Sequence, residues 1–139
     1  MGVIQSIWPW RVYCFLDEDG KNVILRWIGR ESIGLTDQQI LWDRLALLEQ
    51  VGPNALPGCV QPLEGEFHCL DVRARKNARA MNPVFCYGPF AGTELTILAG
   101  APIEDGVLGP MDVLPIARRN LAALKKDWRR RVWYEKRTA

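Results

Sequence analysis

FHCLDVRARKNARAMNPVFCYG, residues 67 to 88, decides the fold, because it places two short apolar runs on either side of a basic stretch. Four cations (Arg73, Arg75, Lys76, Arg79) fall within residues 73 to 79. Alternation along FHCLDVRAR sends Leu70, Val72 and Ala74 one way and Cys69, Asp71, Arg73 and Arg75 the other, as a strand requires. If helices cover the Leu70/Val72 side, the Asp71/Arg73/Arg75 side stays open to solvent. A strand with a solvated edge and a groove built for phosphate both fit that pattern. His68 shares the parity of Leu70 and reads as a half-buried structural histidine.

Further runs of strand length flank this one. EFHCLDVRA, NPVFCYG and TELTILAGA are each bounded by Gly, Pro or Asn, which predicts a small antiparallel meander over 67–75, 83–88 and 94–100. RVYCFL predicts an earlier strand, closed by the turn DEDGK. NVILRWIGR fits either the partner strand of a hairpin or a short helix with Val23, Ile24, Trp27 and Ile28 on one side. Residues 36–51 read as a helix: Thr36 and Gln39 form a capping box, Leu41, Leu45 and Leu48 recur at helical spacing, and Gly52-Pro53 ends it. A second helix is predicted over 112–128, started by Pro110 and Asp112, with Val113, Ile116, Leu121, Leu124 and Trp128 as its apolar stripe.

The whole is an α+β chain, with both helices expected on one face of a small antiparallel or mixed sheet. At 139 residues, 48% apolar and 24% charged, it forms one domain, residues 1–139, able to bury a core unaided. Charge is unevenly spread. Residues 118–139 carry nine cations against Asp127 and Glu135, a net +7, while the rest carries nine cations against fourteen acids, a net −5. A concentrated basic helix and tail draws polyanions or an acidic partner, or is simply a solvated helix face.

Cys14, Cys59, Cys69 and Cys86 form no C-x-x-C pair, and His68 completes no zinc spacing with them, so neither a metal nor another cofactor is expected. Cys14, Cys69 and Cys86 lie in apolar runs and read as core residues of a cytoplasmic protein. MGVIQS fits the loose myristoylation pattern, yet no secretion signal or membrane span is legible.

The order of these elements, with FLDEDGKNVILRWI, EQVGP, QPLEGEF, Asp71-Val72-Arg73, VFCY and IARRNLAAL in sequence, resembles the phage-derived HigB/RelE-like toxin family over about residues 12–126. The resemblance implies a RelE-like toxin of a type II toxin-antitoxin system: an endoribonuclease that cuts mRNA at the ribosome without a metal and is held by a cognate antitoxin. Such cleavage needs proton transfer and cations around the reacting phosphate. On the resemblance, Arg73 matches the Arg of a Glu-Leu-Arg motif, Arg79 precedes the aromatic strand where the family often has an Arg, and Tyr87 stacks or moves a proton. Arg75 and Lys76 would hold backbone phosphates, and Arg129, Arg130 and Arg131 would add RNA contacts beside Trp128, Trp133 and Tyr134.

The sequence departs from the family pattern where AGAPIEDGVLGP puts Glu104 and Asp105 in place of a Lys-rich turn. Asp71 also stands where the motif has Glu. A catalytically inactive RelE-like RNA- or ribosome-binding module and a phage-derived interaction protein are therefore the alternatives.

Overall fold

The computed structural model describes residues 9–75, 78–103 and 109–135. Strand β1 (Arg11–Phe15) leads through a turn into helix α1 (Val23–Arg30) and helix α2 (Leu35–Val51). β2 (Val60–Pro62), β3 (Phe67–Leu70), β4 (Pro83–Tyr87) and β5 (Glu94–Gly100) follow, then helix α3 (Leu114–Lys126) and a last strand, β6 (Arg131–Trp133). The strands form one mixed sheet in the order β2-β3-β4-β5-β1-β6. β3 to β5 are the expected antiparallel meander, extended by an unforeseen β2 on β3, whereas β1 runs parallel to β5 and pairs antiparallel with β6.

Local chemistry explains the elements. Asp17 closes the DEDGK turn by accepting from the Asp19 and Lys21 N–H groups at 2.9 and 3.0 Å. Asn22 then accepts from the Ile24 N–H at 2.8 Å and starts α1, which settles NVILRWIGR as a helix rather than a hairpin strand. Ile24, Trp27 and Ile28 are its buried stripe. For α2 the capping box is corrected: the N-cap is Gly34, with no side-chain cap, so Thr36 and Gln39 lie inside the helix. The stop holds, since Gly52 sits at φ +80°, where only glycine is unstrained. Asp112 accepts from the Gly109 N–H at 2.6 Å and caps a 3-10 turn over Pro110–Val113 rather than α3 itself.

The expected one-sided packing of helices is corrected too. α1 and α2 bury Trp27, Leu41, Leu45 and Leu48 against Val12, Leu70, Val72, Phe85 and Ile97 on one face of the sheet. α3 buries Leu114, Ala117, Leu121 and Leu124 against Phe67, Cys69, Val84, Cys86 and Leu98 on the other. The face taken as open is therefore covered along β3, where Cys69 is fully buried. A bulge in β5 assists: Phe85 pairs with Ile97 and Val84 with Ala99, so Leu98 is an extra residue and both Leu98 and Ala99 reach the α3 core. With a helix over each face, all residues of β5 are buried.

The α3 stripe is shifted from the expected one. Ile116 and Trp128 are 40% and 70% exposed, and Trp128 lies beyond the helix end at Lys126. Leu45, Leu48, Leu70, Val72, Leu121 and Leu124 are buried as read from the sequence.

Candidate nucleic-acid interface

β3 ends at Leu70, and the chain then leaves the sheet as a loop pinned at its neck. Val72 and Met81 still exchange backbone hydrogen bonds at 3.0 and 2.7 Å and close the neck of the loop. Arg73 staples this loop, donating from Nε to Asp71 Oδ1 at 3.0 Å and from a guanidinium NH to the Ala78 carbonyl at 3.2 Å. It is half exposed.

Two hollows open beside the loop, and Arg75 lines both. One, of about 330 Å³, is bounded by Arg44, Asp71, Arg73 and Arg75. The other, of about 400 Å³, is bounded by Arg75, Arg79, Met81 and the start of α2 at Gly34 and Asp37, with Glu31 on its far wall. The N-terminal end of α2 adds partial positive charge there. Arg75 is exposed, and its guanidinium forms no ion pair or hydrogen bond among the described residues. Arg73 and Arg79 thus border neighbouring hollows and are not brought to one. Lys76, Glu104 and Asp105 lie outside the described residues.

Tyr87 is elsewhere. Cys86 pairs with Phe67, at the end of the β3–β4 ladder opposite the loop. Tyr87 stands six residues along the strand from Met81, about 20 Å at the usual strand rise of about 3.3 Å. It packs edge-on against His68 and Phe85, with ring centroids 4.8 and 5.4 Å away, and against Trp10 at 5.9 Å. Desolvation in this aromatic cluster holds the Tyr87 hydroxyl above its ordinary pKa. The three residues expected to catalyse are therefore not assembled around one point. His68 is half-buried and stacked on Phe85.

The basic tail folds back onto the sheet. Arg131, the first residue of β6, forms a two-pronged ion pair with buried Glu94, its NH2 donating to Oε1 at 3.2 Å. Its guanidinium lies 3.8 Å from the Tyr13 ring centroid and 4.8 Å from that of Phe90. Arg130 covers Phe15 at 4.7 Å and donates to the Leu16 carbonyl. Arg129 is exposed and grips Asp127 through two hydrogen bonds of 2.9 and 3.2 Å, which hold the Asp127 carboxyl below its usual range. Trp133 donates to Glu49 at 2.8 Å beneath Arg11, and Tyr134 is buried, which leaves Trp128 as the exposed aromatic of the three.

Arg44 is the binding candidate that sequence reading passes over. On α2 it looks like one more polar position of an amphipathic helix. Only the fold carries it to the arginine loop, where it donates to Cys59 Sγ at 3.2 Å.

All four cysteines are buried and reduced. Burial pushes the thiols of Cys14 and Cys86 up to about 12 and that of Cys69 up to about 11. Native protein should therefore react negligibly with Ellman's reagent at pH 8, and all four thiols should titrate in denaturant. A thiol that reacts at once in the native state would contradict this packing. Among the described residues no group of three or more His, Cys, Asp or Glu could hold a metal ion, and no helix is long and apolar enough to cross a membrane. No protein-family model matches the chain, and no characterised protein matches its sequence.

Proposed function

We propose that the protein binds the phosphate backbone of RNA through the 71–79 loop and Arg44, without cutting it, as a RelE-like module that has kept a binding surface and not a catalytic centre. The observation that carries this reading is Arg75, which lines both arginine-bordered hollows and whose guanidinium has no partner among the described residues. Successive phosphates of one strand could occupy the two hollows, each meeting guanidinium groups with planar donor forks. The roughly 20 Å between Tyr87 and the loop supports binding over cleavage, since a proton-transfer group must lie within hydrogen-bond reach of the reacting oxygen.

The test is fluorescence anisotropy with a labelled single-stranded oligoribonucleotide over a range of salt. Three or four phosphate contacts predict a log–log salt slope of about −2 to −3, at roughly −0.7 per contact. Arg75→Glu should weaken binding roughly tenfold or more and flatten the slope. Its melting temperature should stay nearly unchanged, because the exposed guanidinium makes no hydrogen bond or ion pair among the described residues. Binding and slope that survive Arg75→Glu would remove the loop from the interface.

The second reading is the toxin itself, an endoribonuclease acting at the ribosome and held by a cognate antitoxin. It is favoured by the chain order β1-α1-α2-β2-β3-β4-β5-α3, which follows the order of segments on which the resemblance rests. Growth arrest on induction, lost in Arg73→Ala and Arg79→Ala, would favour this reading. RNA retention without cleavage or arrest would favour the first.

A further inference from the structure

A hollow of about 370 Å³ lies between α1, α3 and the end of β5, and it shares no lining residue with either arginine pocket. Its volume falls within the roughly 300 to 1,000 Å³ of small-ligand sites. Pro102 and Ile116 give it an accessible apolar wall, and Arg26, Arg30 and Arg119 stand around it.

The three cations are held differently. Arg26 is paired with Asp17 and Asp19, and Arg30 with Glu31 and the Gly100 carbonyl. Both guanidinium groups are thus fixed before any ligand arrives. Arg119 is exposed, and its guanidinium makes no hydrogen bond or ion pair among the described residues. Ile116, one turn before Asn120 on the same helix, is 40% exposed instead of packing into the α3 core. An apolar wall with a spare cation beside it calls for a ligand that has both characters.

We propose that this hollow binds an amphiphilic anion, a small molecule whose apolar body rests on Pro102 and Ile116 while a terminal oxyanion meets Arg119. Arg26 and Arg30 bring their own counter-charges, Asp17 and Glu31, so they shape the local field more than they neutralise the ligand. Arg119 has no such counter-charge, and a carboxylate or phosphate monoester would satisfy its fork.

The experiment is calorimetric titration of the full chain with decanoate, decyl phosphate, decanol and decyltrimethylammonium, all below micelle formation. Saturable binding of one decanoate or decyl phosphate per chain is expected, roughly tenfold or more tighter than decanol, with the cation weakest. The stronger of the two anions distinguishes a carboxylate ligand from a phosphate ester. Arg119→Glu should erase the preference for anions with no loss of melting temperature, and Ile116→Ser, which adds no charge, should weaken the anions and decanol alike. The proposal is overturned if no probe saturates, if the charged and neutral probes bind alike, or if Arg119→Glu binds as the parent does. RNA affinity should be unchanged in Arg119→Glu, so this site and the arginine loop stand or fall separately.

Discussion

Arg131→Ala should destabilise the protein by about 3 to 5 kcal/mol, the usual loss when one partner of a buried ion pair is removed. The Arg131 and Glu94 side chains are only 13% and 7% exposed. Deleting the guanidinium strands a carboxylate whose remaining partner is the Phe90 N–H at 3.2 Å. Urea denaturation should show a lower midpoint with an unchanged slope. Converting both partners together, Arg131→Met with Glu94→Leu, should recover most of the loss, because no charge is then left without its counter-ion. Arg129→Ala, two residues away, should leave the midpoint where it was, since its pair with Asp127 is exposed. A small effect at Arg131 would mean that β6 is not docked, and would return this arginine to the set available for RNA.

Trp27→Ala should cost a similar amount, about 3 to 5 kcal/mol. The Trp27 ring is 1% exposed, and its Nε1–H donates to the Ala101 carbonyl at 2.7 Å. Gly100 lies directly beneath the ring: a Cβ there would come within 2.3 Å of it. Gly100→Ala should therefore destabilise by about 1 to 3 kcal/mol or more, through overpacking rather than through φ, which is ordinary at this glycine. The two substitutions should not add. Once Trp27→Ala has emptied the site, Gly100→Ala should be nearly neutral, and a double-mutant cycle measures that coupling directly. Additive losses would mean that the ring does not rest on Gly100.

Much of the fold is legible in local chemistry. The end of α2 follows from Gly52-Pro53, and the meander from the Gly, Pro and Asn residues that bound its strands. What alternation leaves out is the identity of the covering layer. Leu70 and Val72 face one way and Phe67 and Cys69 the other, and both pairs are apolar. TELTILAGA is apolar on both parities as well, the pattern of a strand buried on two sides. β6 escapes local reading because it has only Arg131, Val132 and Trp133, and its leading arginine looks solvated until Glu94 is brought to it. The candidate interface divides in the same way. The arginine loop stands out in the sequence, whereas Arg44 reaches it only through the docking of α2, and the distance of Tyr87 from it follows from strand register.

The placement of β1 bears on how the chain is made. Arg11 pairs with Glu94, and Tyr13 with Trp133, so β1 leaves the ribosome before β2 to β5 and waits for partners about 80 and 120 residues later in the sequence. Closing loops of that length precedes any reward from the contacts they allow, which slows folding. During synthesis β2 to β5 can zip locally, but β1 beside β5 cannot be paired on both edges until residues 131–133 emerge. A nascent chain stalled before Arg131 would hold β1 with one edge bare, a template for pairing with another molecule.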